Sequence, residues 1–200
     1  MLETHVDRHS LMILISTLLK CSSHACEVWD TVIKNTLSKR NLESSLQLVY
    51  TIEPAKQRIL SRPEDIDGCR LLSVNPCLPV NLSENSRQFL FSKLNQFCGS
   101  PDAFLNAGFG YVLVDGEEIV SLCFSGFVAG TVHAIDIETM PSARRKGYAE
   151  VVARAFLAEY LEKHLQPHWD CMADNPASSR LAEKLGFVQN HEYVLYSFWV

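Results

Sequence analysis

Thr131-Val-His-Ala-Ile-Asp-Ile-Glu-Thr-Met-Pro-Ser-Ala-Arg-Arg-Lys-Gly-Tyr-Ala149 is the stretch that decides how this chain is read. Residues 131–139 form an apolar, alternating run, the pattern of a strand. From Ala149 onward, apolar side chains at 149, 152, 153, 156, 157, 160 and 161 mark the face of a helix lying on a sheet. Between strand and helix sit Arg144, Arg145, Lys146 and Gly147, a basic loop in an otherwise acidic chain. The first N–H groups of a helix have no partner within it, and the helix dipole favours negative charge there. Gly147 lacks the Cβ that would hold a diphosphate away from the backbone, and the three cations add positive charge. Three adjacent basic residues are in most chains a solvated turn. Their position, where strand gives way to helix, favours an anion site instead.

The spacing is neither Gly-x-Gly-x-x-Gly nor the Gly-Lys-Ser/Thr of a P-loop. It reads Arg144-x-x-Gly147-x-Ala149, followed by Pro167-His-Trp-Asp-Cys171 and by Asn175-Pro-Ala-Ser-Ser-Arg-Leu-Ala-Glu-Lys-Leu-Gly-Phe187. Together these segments resemble the GNAT superfamily of N-acetyltransferases, in particular the group that includes zwittermicin-resistance-type acetyltransferases. The resemblance is strong over 105–200 and weaker over 45–104.

The remaining punctuation agrees with that order. Asp115-Gly116 separates two β-prone runs, 109–114 and 119–125, as a hairpin. Leu90, Leu94 and Phe97 place a helix over 84–98, closed by Gly99-Ser-Pro101. Residues 168–172 read as a short strand and 192–200 as a final β run. Asn175 is a helix N-cap with Pro176 at the first helical position, and Gly186 supplies the stop. Upstream, Trp29, Val32, Ile33 and Leu37 form a helical stripe, and 47–52 a strand. The apolar run 11–19 is too short to span a bilayer and reads as a buried helix with Ser10 as its N-cap. The expected fold class is α+β: a GNAT-like mixed, mostly antiparallel central sheet flanked by helices. Residues 1–45 are expected as an N-terminal helical segment packed on a GNAT-like domain of residues 46–200.

Net charge −5 and pI near 5.8 argue against nucleic acid or an anionic membrane as partner. Seven cysteines, an odd count without a Cys-x-x-Cys pair, suggest reduced thiols and a cytoplasmic protein. Glu3 and Asp7 stand against Arg8 where a signal peptide would be basic, although Ser23-His24-Ala25 resembles a cleavage site. Cys21, His24 and Cys26 are too closely spaced for an ordinary zinc finger, and no metal site is expected.

The resemblance implies acetyl-CoA as co-substrate, a small-molecule amine as acceptor, and direct attack in a ternary complex. It implies cofactor contacts from Arg144, Arg145, Lys146, Gly147, Tyr148 and Ala149, from the strand backbone at Ile137 and Thr139, and from Asn175 and Ser178. Strand alternation puts Ile135, Ile137 and Thr139 on one face and Ala134, Asp136 and Glu138 on the other. Two carboxylates on one face suit a general base, with Glu138, nearer the loop, as first choice. His133 reads as a structural surface residue. Asp170, in a short buried strand, needs a hydrogen-bond partner. Many relatives carry a tyrosine seven residues after the asparagine, where this chain has Ala182. The alternative is therefore a non-catalytic acyl-CoA-binding sensor or partner-binding module. The acceptor's identity and the oligomeric state are not legible.

Overall fold

The protein is described by a computed structural model that covers residues 10–13, 23–52, 63, 65–76, 78–98 and 100–199. The strands are β1 (Ser10–Ile13), β2 (Leu42–Ile52), β3 (Arg70–Ser73), β4 (Gly110–Asp115), β5 (Glu118–Ala129), β6 (Val132–Thr139), β7 (Gln166–Met172) and β8 (Phe187–Trp199). The helices among the described residues are α1 (Ser23–Thr36), α2 (Glu84–Cys98), α3 (Pro101–Ala107), α4 (Tyr148–Glu162) and α5 (Pro176–Lys184). All eight strands join one sheet in the order β1-β8-β2-β7-β6-β5-β4-β3. Every neighbouring pair is antiparallel except β6 and β7. This is the mixed, mostly antiparallel α+β architecture expected from the sequence.

The sheet's middle is buried on both faces. Tyr111 and Leu113 of β4 join a core under α4 with Cys123, Val152, Phe156 and Trp169. Their neighbours Val112 and Val114 face the other way, into a core with Leu122, Phe124, Leu90, Leu94 and Phe104. The alternating side chains of one strand thus fill two separate cores. Phe109 stacks on Phe156 with ring centres 4.6 Å apart, locking α4 over the central strands.

Two features shape the sheet where β6 leaves it. Gly126 forms a bulge in β5, shifting the β5–β6 register between Ser125 and Phe127. Such an extra residue bends the strand and increases its twist. On the other side, β6 pairs with β7 only from Val132 to Ala134, opposite Gln166 to His168. Beyond Ala134 the two strands part.

Several expectations are corrected. Ser10 does not cap a helix: Ser10–Ile13 is an edge strand running from Ser10↔Trp199 to Ile13↔Tyr196. A continuous apolar run carries no period that separates strand from buried helix, and the free edge of β8 decides it. The rest of that run, 14–19, lies outside the described residues, as does Cys21. The boundary expected at 45/46 falls inside β2, which pairs with β8 along its whole length. Ser100-Pro101, read as a stop, also starts α3: Ser100 Oγ accepts from Ala103 N at 3.1 Å. The final strand begins at Phe187 rather than 192. His133 is buried, not on the surface, with Nδ1 3.0 Å from Ser125 Oγ and its carbonyl accepting from Tyr160 OH at 2.6 Å.

At Gly110 β4 lies close against β5. A Cβ there would sit 2.7 Å from Phe124 Cβ and 2.9 Å from Cys123 O. Gly110→Ala is expected to lower stability by about 1–3 kcal/mol, the usual cost of overpacking, read as a reduced midpoint in urea.

Candidate functional site

The loop after β6 is built as its sequence suggests. A 3-10 turn (Pro141–Ala143) leads into Arg144, whose Nε donates to Thr139 O at 3.2 Å and ties the loop to the strand end. Arg145 and Gly147 both adopt positive φ, +64° and +83°. At Gly147 this is the left-handed conformation that precedes α4, and nothing lies within 4 Å of where a Cβ would stand. The surface before the helix is therefore open backbone. Intrahelical bonding begins only at Glu150 and Val151, which both donate to Gly147 O. The N–H groups of Tyr148 and Ala149 precede it.

Arg144, Arg145, Lys146 and Gly147 are exposed, and among the described residues no carboxylate pairs with the three cations. Glu150, the one acid in the first turn, is bound by Lys184 Nζ at 2.6 Å and Arg154 at 3.0 Å. Burial raises its pKa, but these two cations outweigh it and the carboxyl stays below its ordinary range. The tyrosine of the motif turns inward. Tyr148 is buried in the core, and its hydroxyl, hydrogen-bonded to Cys69, is pushed up to about 12. Only its backbone is available at the helix start.

Beyond Ala134 the edge of β6 that faces β7 has no strand partner. A cavity of about 310 Å³ occupies the gap, reached by Ile135, Asp136 and Ile137 from β6 and by Trp169, Asp170 and Cys171 from β7. Asn175 and Ser178 close its side from α5. Both are held locally: Asn175 Oδ1 accepts from Ser178 N at 3.2 Å, and Ser178 Oγ accepts from Trp169 Nε1 at 3.1 Å. At the end of β6, Thr139 Oγ1 is 2.8 Å from Ser121 Oγ of β5.

A second cavity of about 560 Å³ adjoins the first, sharing Gln47, Ile135, Asp136, Asp170 and Leu195 with it. Its walls are largely apolar, from Phe97 of α2, Phe127 and Val128 of β5, and Leu195 of β8. Its polar groups are Asp136, Asp170, His168, Tyr193 and Gln47. Burial pushes the Asp136 carboxyl up to about 6, with Lys93 holding it down and Glu138 adding to the rise. Asp170 accepts from Tyr193 OH at 2.6 Å and lies 3.8 Å from His168 Nε2.

Strand alternation correctly divides β6: Ile135 and Ile137 pack toward α4, whereas Asp136 and Glu138 face α2. The two carboxylates differ in setting. Glu138 is engaged by Lys93 Nζ at 2.5 Å and lines neither cavity, whereas Asp136 lines both. Ala182 is fully buried in the core under α4 and α5. Tyr196 lies away from both cavities, donating to Asp30 of α1 at 2.7 Å. Lys93, Phe97, Phe127 and Gln47 were not anticipated. Each reaches the site from a distant element, and nothing in its local pattern sets it apart.

A basic loop at a helix start, a broken parallel strand pair and a mixed sheet together describe the fold, and comparison with known proteins places it. The GNAT acetyltransferase family profile matches residues 22–196, so the chain belongs to that family. It is 29% identical over 171 residues to an uncharacterized N-acetyltransferase, YdfB, of Bacillus subtilis (strain 168). That match covers 85% of this chain and 62% of the relative, so the chain spans less than two thirds of that protein's length. A GCN5-related N-acetyltransferase-like protein of Streptococcus suis shares the fold at TM-score 0.64 and 21% identity, covering 87% of this chain and 68% of that one. A tandem GNAT protein of the clavulanic acid biosynthesis pathway does so at 0.58 and 11%, covering 95% and 62%. Among the described residues no helix is long and apolar enough to cross a membrane.

The raised Asp136 pKa has a stability consequence. Its folded value, about 6, lies above the ordinary value near 3.9, so between these pH values the folded state holds a proton that the unfolded chain has lost. The stability contribution is full below about pH 4 and is lost as pH rises through about 6. Asp136→Asn, which cannot ionise, is therefore expected to be more stable than the wild type at pH 7. A gain of about 1 kcal/mol corresponds to roughly 2–4 °C in Tm, and calorimetry at pH 4 should show the difference shrink.

Proposed function

We propose that the protein is an acyl-CoA-dependent N-acyltransferase that moves an acetyl group from acetyl-CoA to the amine of a small molecule. One observation carries this reading. The edge of β6 without a strand partner runs from a cavity holding Asp136 to a helix start flanked by three cations. The residues fit the ligand: Gly147 leaves open backbone for a diphosphate, and an unpartnered strand edge suits the amides of a pantetheine arm. In this reading Arg144, Arg145 and Lys146, with the N–H groups of Gly147, Tyr148 and Ala149, hold the diphosphate. Ile137 and Thr139 offer backbone to the arm and the acyl group, and Asn175 and Ser178 border it from α5. The resemblance to zwittermicin-resistance-type acetyltransferases supports a small acceptor.

Acetyl-CoA supplies a thioester whose C–S bond breaks as the acceptor nitrogen forms the new C–N bond. The chain's share is to hold both reactants in one gap, to remove the ammonium proton and to stabilise charge on the carbonyl oxygen from the β6 backbone. Between the carboxylates, the setting favours Asp136 as the base over Glu138, because Asp136 borders the gap and carries a raised pKa. Glu138, tied to Lys93, then acts on the electrostatics around Asp136. Tyr193 is a poor proton donor to the departing thiolate, since burial and its bond to Asp170 push its pKa up strongly. The buried Ala182 has no proton to give, which is the observation favouring a non-catalytic acyl-CoA-binding module.

Release of free CoA from acetyl-CoA across a panel of amines decides between the two. Turnover with any amine supports the transferase, and CoA binding without turnover supports the module. Gly147→Asp is expected to abolish acetyl-CoA binding in calorimetry, because bulk and negative charge meet the diphosphate; wild-type affinity would overturn the loop assignment. The acidic limb of kcat/KM is expected near pH 6, since Asp136 works only when ionised. Asp136→Asn should lose about 10²–10⁴-fold in turnover with acetyl-CoA affinity retained. A Glu138→Gln enzyme that loses more than Asp136→Asn would return the base role to Glu138.

A further inference from the structure

The larger cavity carries information about the acceptor. Its wall on the α2 side carries two aromatic rings, Phe97 and Phe127, which meet edge to face with ring centres 5.6 Å apart, and Phe97 is backed at the same distance by the buried Phe124. Phe127 is 43% exposed and Val128 36% exposed, large apolar side chains left in water at the cavity wall. Val132, Ala134, Ile135 and Leu195 continue the apolar lining. Gly126 keeps the passage between this wall and the carboxylate open. A side chain there would begin 3.3 Å from Asp136 Cβ and 3.6 Å from Phe97 Cδ1.

The charge in the cavity has one sign. Asp136 and Asp170 both reach it, and among the described lining residues there is no lysine or arginine. Lys93, on the same side of the sheet, is engaged with Glu138. Asp170 is oriented by the Tyr193 hydroxyl, which fixes a carboxylate oxygen without adding positive charge. Among the described lining residues the one imidazole, His168, lies beside Asp170 rather than opposite it.

From these walls and this charge we infer that the acceptor is a monoamine carrying an apolar, preferably aromatic, body and no carboxylate of its own. The inference rests on the acyltransferase reading for its use but on the cavity alone for its chemistry. An ammonium group finds two carboxylates, and a ring finds Phe97, Phe127 and Leu195. A free amino acid would bring a carboxylate toward Asp136 and Asp170 with no lysine or arginine among the described lining residues to receive it, since Lys93 is paired with Glu138, and a polyamine would bury charged or polar chain against phenyl rings. A volume of about 560 Å³ is within the range of small-molecule sites, roughly 300–1,000 Å³.

The test is calorimetric titration of the full chain, with and without saturating CoA, using 2-phenylethylamine, L-phenylalanine and spermidine. The expected result is 2-phenylethylamine binding at least tenfold more tightly than either of the others. Phe127→Ser, at an exposed position of the cavity wall, should weaken 2-phenylethylamine about tenfold and leave CoA binding unchanged. Equal or tighter binding of L-phenylalanine or spermidine would overturn the inference, as would no detectable amine binding, or wild-type affinity in Phe127→Ser. Failure of the acyltransferase reading looks different: 2-phenylethylamine would still bind selectively, while CoA would neither bind nor be released from acetyl-CoA.

Discussion

The parting of β6 and β7 after Ala134 and His168 is the constraint on which the rest of the structure depends. A sheet that continued to pair there would bury the β6 edge in its own hydrogen bonds and leave a ligand nowhere to enter. Several groups hold the junction just before the break. Gln166 N donates to Thr131 O at 2.8 Å, and Tyr160 OH and Ser125 Oγ fix His133 from two sides. Pro167, opposite His133, has no N–H to offer a ladder. The bulge at Gly126 then bends the β5–β6 pair. Past this point β7 follows β2 while β6 follows β5, and the gap is what lies between.

Charge is distributed along β6 to match. At its C-terminal end, three cations and a helix start face solvent, and the acid in the helix's first turn, Glu150, is neutralised by Arg154 and Lys184. Two residues past the break, Asp136 sits in an apolar wall that raises its pKa. One strand thus separates a positively charged surface from a negatively charged cavity. The separation has an energetic cost: desolvating a carboxylate for which no hydrogen bond fully compensates lowers stability at neutral pH. Such a cost is commonly kept where a proton must be exchanged near neutrality.

The local devices of this site were legible in the sequence because each is made by neighbours in the chain. The loop 144–147, its helix and the Asn175–Pro176 cap depend on spacings of one to four residues, and backbone rules set them. The faces of β6 followed from a period of two. The edge strand at Ser10–Ile13, by contrast, is decided by an unpaired β8 nearly the whole chain away. β3 is four residues long and has no pattern of its own; pairing with β4 defines it.

What the sequence determined by itself was the basic turn between β6 and α4, the order of strands and helices from β4 onward, and two acids on one face of β6. It ranked those acids only by nearness to the loop, which put Glu138 first. Their spacing is symmetric about one intervening residue, and the difference arises from Lys93 of α2, which reaches Glu138, and from the bulge at Gly126, which leaves Asp136 against Phe97. The apolar character of the larger cavity was equally hidden, since Phe97, Phe127 and Leu195 come from three elements separated by up to about a hundred residues. Hydrogen bonds between chain neighbours are written in local order. Desolvation and long-range ion pairing exist only once distant elements meet, so the different settings of the two carboxylates and the apolar lining of the larger cavity belong to the tertiary structure.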